Sequence, residues 1–203
     1  MFCLAPNEDH RISGRGPDTT TDDLTACRFD EMSLEHLTNP NRETLVEIGK
    51  LRIVAWEASG PRPKMAPQVG DIWTDIHDQH AHHWIVREQG CIVAAARMCV
   101  HIPVSDLPDH ENYAIYRDIF YWPVASINRL VIHPRLRRIG LPKLFDRVRI
   151  ISANRLGAKS LIASTERESR IRNLSDVGFK VVGEAPEPVL PGRQTVVLLK
   201  VIT

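Results

Sequence analysis

Apolar residues recur along the chain with two periods, and the switches between them mark the elements. Within 44–58, Leu45, Ile48, Leu51 and Ala55 fall at helical spacing, behind Asn39-Pro-Asn-Arg-Glu43, which supplies turn and N-cap chemistry. His82–Glu88 and Cys91–His101 are apolar-rich runs joined at Gln89-Gly90 and predict a hairpin. A further run, Val124–Ile132, leads through a basic, glycine-containing turn into 141–155. There Leu144, Phe145, Val148 and Ile151 share one helical face and Gly157 stops the helix. Ser160–Thr165 predicts a strand, 168–177 a helix, and 179–183 and 195–202 the closing strands. A first strand is expected over 27–34. The polar, aperiodic stretch before it reads as a flexible tail, so the expected division is a tail over 1–26 and one domain over 27–203. The connections 59–81 and 102–123 are long for a compact domain, and the first is expected to be a substrate lid.

Composition narrows the function classes. A chain of 203 residues buries about 70% of its unfolded surface, enough for a real core. Lys and Arg number 26 against 25 Asp and Glu, a formal charge of +1, which gives no basis for broad adhesion to nucleic acid or to an anionic membrane. Cys3, Cys27, Cys91 and Cys99 lack Cys-x-x-Cys spacing, so reduced thiols are the default. The N-terminus offers no secretory apolar region, and no apolar run approaches the about eighteen residues needed to span a bilayer. A cytoplasmic protein is the expectation.

Asn128-Arg-Leu-Val-Ile-His-Pro-Arg-Leu-Arg-Arg-Ile-Gly-Leu-Pro-Lys143 carries the most specific chemistry. A strand running through such a turn into a helix presents unpaired N–H groups at the positive end of the helix dipole, where a phosphate or pyrophosphate can sit. Arg137 and Arg138 add charge, and Gly140 lets the backbone approach closely. The motifs of a nucleotide-hydrolysing P-loop and of a dinucleotide fold are both missing. An ordinary strand-turn-helix corner with solvated arginines is the competing reading of this segment alone.

Arg137-Arg-Ile-Gly-Leu-Pro142 resembles motif A of the GNAT superfamily of acyl-CoA-dependent N-acyltransferases, Gln/Arg-x-x-Gly-x-Gly/Ala, and departs from it at Pro142. Asp176-Val-Gly-Phe-Lys180 is similar to the Lys-x-Gly-Phe signature of that fold, and the order of predicted elements matches its topology over about residues 27–200. The resemblance implies an α/β (α+β) fold: a mixed, mostly antiparallel sheet of six to seven strands flanked by about four helices. It also implies acetyl-CoA or another acyl-CoA as co-substrate, no metal, and a small-molecule amine as acceptor. A homodimer is common in that fold. Leu130, Val131 and Ile132 would pair with the pantetheine arm and polarise the thioester carbonyl. Arg137, Arg138, Ile139, Gly140, Leu141, Pro142 and Lys143 would hold the pyrophosphate. Proline in a first helical turn costs no helix bond but removes one donor.

The resemblance weakens at the catalytic positions. Relatives carry a glutamate at the position of Ser126 or of Asn128, and a tyrosine at that of Leu174. Ser126 and Asn128 share a strand face and would order a water, leaving the base and the acid unassigned. Ser126-Ile-Asn-Arg-Leu130 also resembles Glu-Ile-Ser-Arg-Leu of the acyl-homoserine-lactone synthases and related long-chain N-acyl amino acid synthases, and Leu51-Arg52 with Trp56-Glu57 resembles their N-terminal helix. Arg129, in a mostly apolar strand, needs an anion: a substrate carboxylate or a structural ion pair.

Two clusters remain open. Asp75-Ile-His-Asp-Gln-His-Ala-His-His83 offers His77 and His80 with Asp75 or Asp78 as metal ligands, a base from the lid, or a solvated face, with His101 and His133 as rival bases. Tyr113, Tyr116, Tyr121 and Trp122 either line an acceptor pocket or pack a long loop. Three readings follow: an N-acetyltransferase, a longer-chain N-acyltransferase using acyl-CoA or acyl carrier protein, and a non-catalytic acyl-CoA-binding module.

Overall fold

Gln89 and Gly90 hold φ of 50° and 79°, the paired left-handed backbone that a two-residue hairpin turn requires, and they join β2 (His82–Glu88) to β3 (Cys91–His101). The computed structural model describes residues 32–59, 72–188, 190 and 192–202. The expected tail, residues 27–31 of the expected first strand, and 60–71 of the expected lid lie outside the described residues. β1 (Met32–Thr38) runs antiparallel to β2 from Met32 opposite Glu88 to Thr38 opposite His82. It continues four residues past the boundary expected at residue 34. The apolar run ends early because this is a sheet edge, where Glu35, His36 and Thr38 are tolerated; His36 stacks on Trp84 with ring centroids 4.5 Å apart.

The Asn41 side chain accepts the Thr44 N–H at 2.9 Å and starts α1 (Arg42–Glu57). The later elements are β4 (Val124–Ile132), α2 (Leu141–Arg155), β5 (Ser160–Thr165), α3 (Glu168–Asp176), β6 (Lys180–Glu184) and β7 (Val196–Val201). The seven strands order as β1-β2-β3-β4-β5-β7-β6, with β4 and β5 parallel and every other neighbouring pair antiparallel. The α/β class and the mixed, mostly antiparallel sheet are as the sequence predicts; among the described residues three α-helices flank it.

Helical spacing becomes two cores, one on each face of the sheet. Ile48, Leu51 and Ala55 of α1 pack on Ile85, Ala95 and Val131. On the opposite face Leu141, Phe145 and Ala153 of α2 and Leu174 of α3 cover Ala96, Ile127, Leu161 and Leu198. The 102–123 connection is not featureless: three 3-10 turns fold it so that Leu107, Tyr113 and Phe120 bury against Val124 and Ile162. Cys99 is a buried free thiol, and no helix among the described residues is long and apolar enough to cross a membrane.

Candidate active site

β4 pairs with β5 only over Val124–Ser126; beyond Ser126 the two strands part. The parting opens a cleft of about 290 Å3, with Asn128 to Ile132 on one wall and Ala163 to Arg167 on the other. A cause lies on the other edge of β4. Ala95 of β3 pairs with Val131 but Arg97 with Asn128, so β4 carries one extra residue between those pairs, and Arg129 takes a left-handed φ of 51°. Such a bulge bends its strand and strengthens the local twist, which turns β4 away from β5. It also leaves carbonyls to satisfy. Buried Arg149, from α2, donates Nη1 to the Arg97 carbonyl at 3.2 Å and the Asn128 carbonyl at 3.4 Å. Its Nη2 meets Asp146 at 2.6 Å, and Asp146 also accepts from Arg170 Nη2 of α3 at 2.7 Å. Burial pushes Arg149 down to about 10, opposed by Asp146, so the guanidinium stays charged at neutral pH.

The basic turn closes one end of the cleft. Arg138 and Gly140 hold φ of 73° and 88°, and Gly140 is the residue from which α2 starts, with Pro142 in the first turn. Among the described residues no backbone carbonyl accepts the N–H groups of Arg138, Ile139, Gly140 or Leu141. A Cβ built on Gly140 would meet nothing within 4 Å, so the space on that side of Gly140 is open. Four free N–H groups at the start of a fifteen-residue helix can hold a pyrophosphate. Pro142 removes none of the four. The Arg137 side chain is engaged elsewhere: Nη2 donates to the Ala55 carbonyl at 2.8 Å and to Ser59 Oγ at 2.7 Å. Lys143 lies 3.7 Å from Asp176 in an exposed pair, the kind that contributes little.

On the α1 side of the sheet the polar residues of β4 enter a buried network. Asn128 Nδ2 donates to Ser126 Oγ at 3.3 Å, and Ser126 Oγ lies 2.9 Å from His101 Nε2. Asn128 Oδ1 accepts from Arg97 Nε at 2.7 Å. Arg97 also meets Asp75, and Asp78 at 2.9 Å; Asp78 takes both Nη groups of Arg52 at 2.7 Å, and Asp75 takes Arg129 Nη2 at 3.0 Å. Arg129 further stacks over Trp73 at 4.7 Å. Burial pushes the Asp78 carboxyl up, but Arg52 and Arg97 outweigh it and hold it well below the usual carboxylate range. Burial, then the neighbouring His77, pushes His101 down to about 4, so His101 is neutral at pH 7.

The structure therefore brings Ser126, Asn128 and Arg129 together, and gives Arg129 a protein carboxylate. Asp75 and Asp78 face arginines. Among the described residues no group of three His, Cys, Asp or Glu is placed to hold a metal ion. Tyr113 donates to Ser164 Oγ beside the cleft at 3.0 Å, whereas Tyr116 bonds the Glu184 carbonyl at 2.7 Å and Tyr121 is exposed. Leu174 is core, His133 bonds the Arg135 N–H at 3.4 Å by the basic turn, and Leu130 and Ile132 pack against the α2 core. Arg97 and Asp109 were not singled out in the sequence, and Arg52 only as part of the Leu51-Arg52 resemblance, with no carboxylate partner expected for it. Arg97, set within the apolar stretch 91–100 of β3, was the available signal, since a buried guanidinium demands carboxylates.

No family model and no curated protein matches the sequence. Solved structures do match the fold. The AHL synthase LasI is 13% identical with a TM-score of 0.59, over 83% of this chain and 87% of that one. A NatC complex bound to Gag peptide and CoA is 13% identical, TM-score 0.59, over 85% and 99%. The Drosophila melanogaster polyamine N-acetyltransferase, which forms N-acetylagmatine, is 10% identical, TM-score 0.59, over 84% and 100%. The chain thus has the GNAT fold.

Proposed function

We propose that this GNAT-fold chain is an acyl-CoA-dependent N-acyltransferase that moves an acetyl group to the amine of a small molecule or amino acid. One observation carries the reading: the β4–β5 cleft runs from strand backbone without a β5 partner to Arg137 and Pro142, the two residues that bracket the free N–H groups of 138–141. An extended arm ending in a pyrophosphate needs those two features in that order. Leu130, Val131 and Ile132 would line the arm, with N–H groups from this stretch polarising the thioester oxygen. Arg138, Ile139, Gly140 and Leu141 would hold the phosphates. Bound acyl-CoA supplies the electrophilic thioester carbon, and the chain's part is to position it and to manage protons. Ser126 and Asn128 are assigned to ordering a water at the reacting end, and Arg129 to shaping it from its ion pair with Asp75.

A second reading, transfer of a longer acyl chain from CoA or acyl carrier protein, is favoured by the Ser126–Leu130 resemblance together with the fold likeness to LasI. Calorimetric titration with CoA, acetyl-CoA and longer acyl-CoAs, followed by thiol release with a panel of amines, separates the readings. Binding and turnover fastest with acetyl-CoA supports the first, and a rate rising with chain length supports the second. Binding without turnover leaves an acyl-CoA-binding module, and no binding removes all readings based on CoA.

A further inference from the structure

Direct acyl transfer needs a neutral amine, and an alkylammonium has a pKa of about 10.4. Some group must take a proton. Ser126 and Asn128 are not basic, and His101 is enclosed, 6% exposed, with its Nε2 against Ser126. Asp75 and Asp78 are neutralised by three arginines. Two other carboxylates line the cleft, Glu166 and Asp109. Glu166 pairs with Arg167 at 3.4 Å.

Asp109 differs from all of these. It comes from the β3–β4 connection and reaches the cleft beside Asn128 and Arg129. Among the described residues its side chain makes no hydrogen bond and no ion pair, although its carbonyl accepts the Asn112 N–H at 2.9 Å. Its backbone sits at φ 59°, ψ 39°, a left-handed conformation that aspartate tolerates better than most residues. Leu107 and Tyr113, both buried, anchor the turn on either side and hold that conformation. The result is a carboxylate without a partner among the described residues, fixed at the wall of the cleft that also holds Arg129.

We propose that Asp109 is the catalytic proton acceptor for the amine nucleophile, an inference that rests on the acyltransferase reading. An ammonium proton passes to an Asp109 carboxylate oxygen; the C–N bond forms as the C–S bond breaks. The sulfur leaves with the electron pair of that bond and takes the surplus proton from nitrogen, and Asp109 returns its proton to water. The groups around Asp109 tune it. Burial raises its pKa, Arg129, Arg97 and His77 pull it down, Asp75 raises it, and Tyr113 lies alongside. The net shift is upward, toward the range where a carboxylate is a useful base.

The test uses the full chain. Wild type, Asp109→Asn, Asp109→Glu and Asp109→Ala are compared for CoA binding by calorimetry and for thiol release from acetyl-CoA with a panel of polyamines and amino acids. Asp109→Asn is expected to bind CoA as wild type does, to lower kcat by about a hundredfold, and to lose the acidic limb of the kcat–pH profile. Asp109→Glu retains part of the rate and the limb, and formate partly restores Asp109→Ala, which a structural role would not produce. Wild-type rate and pH profile in Asp109→Asn overturn the assignment while leaving the acyltransferase reading intact. Failure of wild type to bind CoA or to release thiol overturns both.

Discussion

Arg137 Nη2 donates to the Ala55 carbonyl at 2.8 Å, so the residue that opens the basic turn also caps the C-terminal end of α1. Nη1 adds the Ala58 carbonyl at 3.3 Å. A cation at this end of a helix satisfies orphan carbonyls and opposes the dipole. Arg137→Ala is therefore expected to lower the free energy of unfolding by about 1–2 kcal/mol, read as a shift in urea midpoint. It also unpins the turn from α1 and weakens CoA binding indirectly. Arg137→Lys, which keeps the charge but not the fork, falls between. An unchanged midpoint in the alanine variant would remove the capping role.

Gly140 is the sharper probe of the pyrophosphate site, because its φ of 88° excludes most side chains while the space before it is empty. Gly140→Ala tests backbone strain alone, about 1 kcal/mol. Gly140→Asp adds an anion beside the free N–H groups. If those groups hold phosphate, the aspartate variant loses at least tenfold more CoA affinity than the alanine variant in calorimetric titration. Equal losses would mean that the donors serve something else.

The turn at Gly140 was legible in the sequence because everything it needs is local, whereas the α1 carbonyls that hold Arg137 lie 79 and 82 residues away. Strand, turn and helix are consecutive, and positive φ at a glycine before a helix is a short-range signal. The bulge at Arg129 was not legible: it exists only as a register difference against β3, between Ala95–Val131 and Arg97–Asn128. The network around Asp78 was equally hidden, since Arg52 and Arg97 approach it from 26 and 19 residues away. Seen along the chain, Asp75 and Asp78 group with their neighbouring histidines; in the fold they belong to arginines on α1, β3 and β4. Asp109 carried no sequence signal beyond its place in a long, aromatic-rich connection.

Asp146 provides a test of the cleft's floor. It is fully buried and accepts from Arg149 at 2.6 Å and Arg170 at 2.7 Å, tying α2 to α3 while Arg149 holds the bulge carbonyls. Removing one partner of a buried ionic cluster leaves uncompensated charge, which costs about 3–5 kcal/mol. Asp146→Asn keeps the shape and loses the charge, so a drop of that order in unfolding free energy is expected, with Asp146→Leu no better. A drop well under 1 kcal/mol, the range of an exposed pair, would show that Arg149 and Arg170 do not depend on Asp146.

His101 makes stability depend on pH in a predictable direction. In the unfolded chain it titrates at 6.5; in the fold, burial pushes it down to about 4. Above 6.5 it is neutral in both states and costs nothing. As pH falls from 6.5 toward 4 the unfolded state binds the proton first, so stability is lost across that window, on the order of 1–3 kcal/mol for a group this enclosed. His83, also pushed down by burial, contributes with the same sign, whereas Asp109, whose pKa is raised, contributes with the opposite sign. Both remain in a His101→Gln variant, which retains a partner for Ser126 Oγ. Subtracting the variant's urea midpoints at pH 7.5 and pH 5 from those of wild type isolates His101. The wild type is expected to lose more stability on acidification than the variant, and parallel losses would place His101 in contact with water.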